Sequence, residues 1–316
     1  MENAKPVIGI VLPCYNEEQV LAHSSQQLVS LLGRLKDSGL IAAGSFIAFV
    51  DDGSRDRTWP IIESLAVHPD VRGLKLAANA GHQKALLAGL MTFADEADAL
   101  ISMDADLQDD LAVVEPMVAK FTSGIDVVYG VRRERATDTW FKRNTALWFY
   151  RAMKRFGVNL VHNHADFRLQ SRRALLALSH FGEVNLFLRG IIPSIGYSQD
   201  VVHYDRLDRH AGESKYPLRK MLSFAWNGLT SFSTIPLKFV TVTGFVIFVL
   251  CLGMSFYSIA ALFMGKAIPG WVSTVLPMYF LGGIQLLCVG ILGEYVGKIY
   301  SEVKRRPRYI IEKRID

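Results

Sequence analysis

The chain has 316 residues, of which half are hydrophobic and 21% are charged, with 35 Lys and Arg against 30 Asp and Glu. This length and composition exclude a disordered, collagen-like or disulfide-scaffold protein and allow one large domain or two ordinary ones. The net charge of +5 favours a membrane, a nucleic acid or another anion as a partner.

The first part of the chain alternates short apolar runs with helix-length segments. The runs that predict strands are residues 7–12, 46–51, 71–76, 99–104 and 126–129, and the segments that predict helices are 17–36, 57–66, 82–93 and 111–121. This alternation is typical of βαβ units around a mainly parallel sheet. Ligands of such sheets bind beyond the carboxyl ends of the strands. We therefore expect the functional residues in the loops that follow the strands.

The loop after the fourth predicted strand carries two carboxylates. Asp104 and Asp106 are two residues apart, and in an extended segment their side chains point the same way. Two such carboxylates repel each other unless a cation lies between them, and hard oxygen ligands suit Mg²⁺ or Mn²⁺. Gln108 adds a neutral oxygen at the same spacing, and the pair Asp51 and Asp52 ends a neighbouring strand. The sequence contains neither GxGxxG nor GxxxxGK[ST], so no dinucleotide fingerprint or P-loop is predicted.

A basic stretch follows the fifth predicted strand. Residues 132–155 contain eight Lys or Arg against two acidic residues, with aromatic and apolar residues between them. The pattern fits a basic amphipathic helix in a membrane interface, and residues 215–232 resemble it. The alternative is an ordinary solvated face packed on the sheet. A nucleic-acid partner is disfavoured, because no nucleic-acid motif is recognised.

Two charge-free runs near the C-terminus, 239–264 and 267–293, each exceed the roughly 20 apolar residues that span a bilayer. They predict a transmembrane hairpin, with a pair of buried core helices as the alternative. Seven Lys and Arg follow the second run and Lys266 alone separates the two, so the positive-inside rule places both termini in the cytoplasm. The predicted organisation is a domain over 1–214, a juxtamembrane amphipathic helix over 215–236, the hairpin over 237–300 and a basic cytoplasmic tail over 301–316.

The loop motifs also resemble a known family. PCYNEE, DDGSRDRT, NAGHQKALLAGL and DADLQD, in this order and spacing, resemble family 2 glycosyltransferases with the GT-A fold. GVRRERATDTWFKR, ADFRLQSRRAL, NLFLRG, GESKYPLRK and the hairpin narrow the resemblance to polyisoprenyl-phosphate glycosyltransferases, such as dolichol-phosphate mannose synthases and, closer still, bacterial bactoprenol glucosyltransferases. The implied fold is a Rossmann-like cytoplasmic domain with a mainly parallel sheet and a C-terminal two-helix membrane anchor. Asp109 and Asp110 depart from the frequent DADLQDPPE, and the missing QxxRW argues against processive polysaccharide synthases.

The resemblance implies a UDP-sugar donor held with one Mg²⁺ or Mn²⁺ ion. The metal ligands would be Asp104, Asp106 and Gln108, and Asp106 would thereby act in catalysis. Gly81 could equally be present only because the start of a helix requires its backbone geometry. Lys84 could contact the diphosphate or be merely solvated. The implied nucleotide-sugar residues are Pro13, Tyr15, Asn16, Glu17, Asp51, Asp52, Gly81, Gln83, Lys84 and Asp104.

The implied acceptor is undecaprenyl phosphate in the bacterial inner membrane. Arg132 would bind the lipid phosphate or the departing diphosphate, because a guanidinium binds phosphate bidentately. Asp166 is a candidate base or orienting carboxylate, with a structural pair to Arg168 as the alternative. The implied lipid-phosphate residues are Arg132, Arg143, Arg168, Ser214 and Lys215.

These inferences predict an inverting transfer of a hexose, glucose from UDP-glucose in the first place, to undecaprenyl phosphate for cell-surface glycan modification. A phosphate acceptor needs little deprotonation, so no strong general base is demanded. UDP-GlcNAc, UDP-galactose, GDP-mannose or an aminoarabinose donor remain alternatives, as does a non-catalytic scaffold that binds nucleotide-sugar. The anchor is compatible with a homo-oligomer.

Overall fold

The computed structural model describes residues 5–133, 164–184, 186–205, 235–264 and 270–316. These residues form two compact units. The first comprises the described residues up to 205 together with 306–316, and the second comprises 235–264 and 270–305. Most of the predicted amphipathic segments, 132–155 and 215–236, lie outside the described residues, as do Arg143, Ser214 and Lys215.

The first unit is built on one eight-stranded sheet with helices between its strands. Four of the seven neighbouring strand pairs are parallel, which confirms the predicted mainly parallel sheet. The strands are β1 (Ile8–Cys14), β2 (Phe46–Asp51), β3 (Val71–Leu76), β4 (Ala99–Ser102), β5 (Val127–Arg132), β6 (His164–Ser171), β7 (Gln199–Tyr204) and β8 (Ile311–Ile315), in the spatial order β7-β5-β6-β4-β1-β2-β3-β8. The helices are α1 (Leu21–Asp37), α2 (Thr58–Leu65), α3 (His82–Phe93), α4 (Val114–Thr122), α5 (Arg172–Ser179) and α6 (Leu188–Ser194).

The central strands are continuous apolar runs because both faces of the sheet are covered. Every residue of β1, β2 and β4 is buried. Helix α3 lies unusually close to the sheet at Gly89, where an added Cβ would be 2.5 Å from the Val11 side chain and 2.6 Å from that of Val50. This close approach packs α3 against β1 and β2, the strands whose ends carry predicted motifs.

Strand β8 lies within the segment that the sequence predicts as a basic tail. It pairs antiparallel with β3, and its cations meet acidic side chains of the first unit. Lys313 is 2.7 Å from Glu63, and Arg314 is 2.6 Å from Glu96. The tail is rich in charged residues, so its sequence does not indicate a strand. The strand with which it pairs is more than 200 residues away in sequence. Residues 311–315 therefore belong to the sheet and are not a free tail.

The second unit contains two long helices, α7 (Ile235–Phe263) and α8 (Trp271–Val303). Of the described residues, one segment, Phe280–Val303, is long and apolar enough to cross a membrane, and Leu237–Leu250 is apolar but shorter. Large apolar side chains are exposed on both helices, among them Phe245 and Leu286. Such exposure is consistent with a membrane anchor.

Candidate functional site

Strand register brings the predicted motifs to one edge of the sheet. Cys14 at the end of β1 pairs with Asp51 at the end of β2, and Val11 pairs with Ser102 at the end of β4. Strand β6 runs antiparallel to β4, with Arg168 opposite Ser102, so its first residues lie at this same edge. The loops after β1, β2 and β4 therefore meet the beginning of β6, where Asp166 lies.

The loops after β1 and β2 are joined by hydrogen bonds. The backbone N–H of Asn16 donates to Ser54 Oγ at 3.0 Å, and Asn16 Oδ1 accepts from the N–H of Arg55 at 3.0 Å. The N–H of Glu17 donates to Thr58 Oγ1 at 2.9 Å. A cleft of about 520 Å³ is lined by residues 16–20, 55 and 56. Beside it Tyr15 is exposed, whereas Pro13 is buried within β1.

Asp51 and Asp52 are both buried, but they differ in how their oxygens are used. Asp51 Oδ1 accepts from the N–H of Ser54 at 3.1 Å, whereas Asp51 Oδ2 is buried and has no hydrogen-bond partner among the described residues. Burial raises the pKa of Asp51 above its ordinary value. A buried oxygen at a strand end that has no protein donor is suited to accept a hydrogen bond from an N–H or hydroxyl group of a ligand.

Asp52 is instead occupied by the loop before α3. Its Oδ1 accepts from the N–H of Ala80 at 2.7 Å and its Oδ2 from that of Gly81 at 2.9 Å. Gly81 has φ of 93° and directly precedes α3, which is the helix-start geometry that the sequence leaves as its alternative. Asp52 therefore positions this loop, and both of its carboxylate oxygens are used in doing so.

The Asp104–Gln108 segment forms a tight turn at the edge. The N–H of Leu107 donates to the carbonyl of Asp104 at 3.2 Å, and Leu107 has a positive φ of 45°, which is unusual for a residue with a side chain. This backbone turns Gln108 toward Asp106, and Gln108 Nε2 donates to Asp106 Oδ2 at 2.6 Å. Two of the three predicted metal ligands, Asp106 and Gln108, are thus in direct contact.

Asp104 lies among other acidic groups. Burial, followed by the charges of Asp166, Asp109 and Asp106, raises the pKa of Asp104 to about 6, although His82 opposes this. In the described part of the chain, no group of three or more His, Cys, Asp or Glu is arranged to hold a metal ion. Asp104, Asp106 and the Gln108 amide together offer three oxygen ligands. This number fits a hard cation that keeps water and phosphate oxygens as its remaining ligands.

Asp166 lies beside three basic side chains, those of Arg189, Arg168 and His82. Arg189 contacts it through Nε at 3.3 Å and Nη2 at 3.1 Å, the buried Arg168 donates to its Oδ1, and His82 Nε2 is 3.4 Å from its Oδ2. Burial would raise the pKa of Asp166, but the hydrogen bond with His82 and the charges of both arginines hold it well below its ordinary value. A carboxylate so stabilised in its ionised form is a poor proton acceptor.

His82 and Arg189 were missed by the sequence analysis. They occur in NAGHQK and NLFLRG, two motifs that carry the family resemblance without pointing to a role for either residue. His82 Nε2 is also 3.7 Å from Asp104 Oδ1, so it lies between the two carboxylates. Burial would lower the pKa of His82, but the hydrogen bond to Asp166 and the charge of Asp104 raise it overall.

Gln83 and Lys84 lie in the first turn of α3. Gln83 Oε1 accepts from the N–H of Leu188, the first residue of α6, at 3.2 Å. This bond ties the beginning of α6 to the beginning of α3. It therefore keeps Arg189 near His82, whereas the half-buried Lys84 stays a predicted diphosphate contact.

The predicted phosphate-binding arginines Arg132 and Arg168 are paired with different carboxylates. Arg132 Nη2 is 3.0 Å from Asp109 Oδ1, and Arg132 Nε donates to the Tyr204 hydroxyl at 3.1 Å. Arg168 is 0% exposed and is paired with Asp166. A fully buried guanidinium cannot reach a lipid phosphate, so the predicted phosphate role of Arg168 is wrong and its structural pairing is what the fold contains.

Comparisons with known proteins identify the relatives of this chain. Residues 9–178 match the model of "Glycosyl transferase family 2". The uncharacterized glycosyltransferase YkoT of Bacillus subtilis (strain 168) is 51% identical over 313 residues, which cover 99% of this chain and 93% of the relative. The SfII prophage-derived bactoprenol glucosyl transferase of Shigella flexneri is 40% identical over 311 residues, covering 97% of each chain. One similar solved structure is the mannosyltransferase PcManGT from Pyrobaculum calidifontis in complex with GDP-Man and Mn²⁺. The match covers 96% of this chain and 86% of that chain, with 14% identity and a TM-score of 0.47.

Proposed function

Because the chain belongs to glycosyl transferase family 2, we propose that it transfers a hexose from a nucleotide-sugar to a polyprenyl phosphate at a membrane. The observation that carries the proposal is the position of the Asp104–Gln108 turn. It lies between the loops of β1 and β2 on one side and Asp166 on β6 on the other. In the proposal, one edge of the sheet holds the nucleotide at the β1 and β2 loops, a cation at the Asp104–Gln108 turn and the acceptor beside Asp166. The bactoprenol glucosyl transferases among the relatives support a lipid-linked acceptor.

The donor side of the proposal is a UDP-hexose, with glucose as the first candidate. The orphaned Asp51 Oδ2 supports it, since uracil and ribose both offer hydrogen-bond donors. Asn16 and Glu17 are held at the cleft by bonds to the β2 loop, so their side chains would meet a nucleoside placed there. The test below also distinguishes UDP-glucose from another UDP-sugar or GDP-mannose as the donor.

Asp104, Asp106 and Gln108 would hold a Mg²⁺ or Mn²⁺ ion. When bound, such an ion neutralises the charge that develops on the leaving diphosphate. The chain's own contribution is positional: the Leu107 turn sets Gln108 against Asp106, and Asp52 fixes the loop before α3. Preorganised groups of this kind lower the barrier because they need no rearrangement when the reaction occurs.

The proposed reaction inverts the anomeric centre. An oxygen of the acceptor phosphate forms a bond to the anomeric carbon, the bond from that carbon to the diphosphate breaks, and the nucleoside diphosphate leaves. A phosphate monoester has its second pKa at about 6, so its oxygens are largely ionised at neutral pH and no base is required. The low pKa of Asp166 agrees with an orienting carboxylate in place of a base.

We propose that the second unit anchors the enzyme by two crossings, with both termini in the cytoplasm. In sequence the second unit is flanked on both sides by the first unit, which the chain re-enters to form β8. Both ends of the second unit must then emerge on the same face of a bilayer, which requires an even number of crossings. Helix α8 contains a segment long and apolar enough for one crossing, and in this proposal α7, with its shorter apolar segment Leu237–Leu250, makes the second. The positive-inside rule assigns the face.

The test uses the full chain in vesicles that contain undecaprenyl phosphate. Radiolabelled UDP-glucose, UDP-GlcNAc, UDP-galactose and GDP-mannose are supplied in turn, with Mg²⁺, with Mn²⁺ or with chelator, and the label in extracted lipid is measured. We expect a glycosyl lipid that depends on the acceptor and on the cation. Asp106→Ala should abolish it, whereas Asp95→Asn, which alters an exposed carboxylate paired with Arg172, should not. Absence of labelled lipid with every donor would refute the proposal.

A further inference from the structure

The unexplained feature of the site is the group of cations around Asp166. The group contains Arg168, Arg189 and His82, of which Arg168 is completely buried. The side chain of Arg189 is 36% exposed, so it reaches the surface of the site while holding Asp166. Asp166 balances one of the two guanidinium charges, and Asp104, 3.7 Å from His82, is a second carboxylate close to the group. The partly exposed guanidinium of Arg189 is a group suited to an anion such as phosphate.

Arg189 is the described arginine at this edge that is best placed for such an anion. Arg132 and Arg189 each use Nε and Nη2 on protein partners, but the Arg189 side chain is more exposed, 36% against 28%, and Arg168 does not reach the surface. Arg189 is in addition pre-positioned. The Nε and Nη2 atoms are held by Asp166, and the backbone of the preceding residue, Leu188, is held by Gln83.

The order of the strands indicates which phosphate this is. The nucleotide loops follow β1 and β2, the Asp104–Gln108 turn follows β4, and Asp166 lies on β6 at the other side of β4. Asp166, the carboxylate that Arg189 contacts, therefore lies across β4 from the nucleotide loops. That side is where a second substrate must enter, because the donor occupies the β1–β2 side.

We propose that Arg189, held by Asp166 and flanked by His82, binds the phosphate of the acceptor lipid. This inference rests on the proposed function and deepens it, since it assigns the acceptor phosphate to a residue outside the predicted set. Asp166 is then a positioning residue that sets the angle of the Arg189 guanidinium. Arg168 balances the charge of Asp166 from the interior.

The experiment compares Arg189→Gln and Arg189→Lys with Arg172→Gln. Arg172 is an exposed arginine that is also paired with an aspartate, Asp95, and therefore serves as the matched control. Initial rates are measured in vesicles while the mole fraction of undecaprenyl phosphate and the donor concentration are varied separately. We expect Arg189→Gln to raise the KM for the lipid about 10- to 100-fold, as the loss of charged hydrogen bonds predicts, and to leave the KM for the donor within about twofold. Arg189→Lys keeps the charge without the fork and should lie between the wild type and Arg189→Gln.

Three outcomes would overturn the assignment. They are an unchanged KM for the lipid, an equal rise in both KM values, which would indicate a diphosphate contact or a general distortion, and the same effect in Arg172→Gln. Thermal unfolding of each variant shows whether it is folded, and if Arg189→Gln is not, the KM values of Arg189→Lys decide. A wild type that makes no glycosyl lipid would refute the proposed function. If the wild type is active and Arg189→Gln has the same KM for the lipid, this inference alone is refuted.

Discussion

Asp126, directly before β5, should make the stability of the first unit depend on pH. Its carboxylate is 4% exposed and accepts hydrogen bonds from Ser171 at 2.8 Å, from Ser198 at 2.7 Å and from Arg173. Burial would raise the pKa of Asp126, but the bonds from Arg173, Ser198 and Ser171 lower it from 3.8 to about 2. These bonds join the beginning of β5 to the end of β6 and to the loop before β7.

The expected size of the effect follows from that difference. Each pKa unit corresponds to about 1.36 kcal/mol, so ionised Asp126 contributes about 2.4 kcal/mol to the free energy of unfolding. A pKa that is lower in the folded state gives stability that is fully present above the unfolded value of 3.8 and is lost as the pH falls through about 2. The loss should therefore occur between about pH 5 and pH 2.

Urea unfolding of the wild type and of Asp126→Asn, followed by circular dichroism in detergent, measures this contribution. We expect the variant to be less stable by about 2.4 kcal/mol at pH 7 and the difference to disappear toward pH 2. Asp95→Asn, in an exposed pair with Arg172, should change stability by less than about 0.5 kcal/mol at any pH. Equal stability of wild type and Asp126→Asn at pH 7, or a difference that stays constant with pH, would refute the reasoning.

Three further substitutions test the packing and the loops of the site. Asp52→Ala removes the acceptor of the Ala80 and Gly81 N–H groups and should lower kcat/KM for glycosyl transfer about 10- to 100-fold, so an unchanged rate would contradict the positioning role. Gly89→Val places methyl groups where two valine side chains already lie and should cost about 1–3 kcal/mol in urea unfolding, and a variant as stable as wild type would show that α3 can move away. Tyr204→Phe leaves the buried Asp109 without its hydroxyl partner and should cost about 1–3 kcal/mol in the same assay, an expectation that an unchanged midpoint would contradict.

Local patterns in the sequence determined the central architecture of the first unit. The five predicted apolar runs correspond to β1 to β5, and the four helical segments to α1, α2, α3 and the Leu111–Val113 turn with α4. These elements are buried on both faces or along one stripe, so their pattern of apolar residues is visible without knowledge of their partners. The motifs at the strand ends followed from the same reasoning, since parallel strands bring their carboxyl ends to one edge.

Only the tertiary structure decided which other segments join the sheet and what each charged residue contacts. Strands β6, β7 and β8 were not predicted, because their partners lie far away in sequence and their charged residues resemble those of loops. Asp52, Arg132 and Arg168 carry the residue types of a ligand site, yet in the fold they hold a loop, Asp109 and Asp166 respectively. A charge binds whatever opposite group lies nearest in space, and that distance depends on strand order and register, which no local pattern encodes.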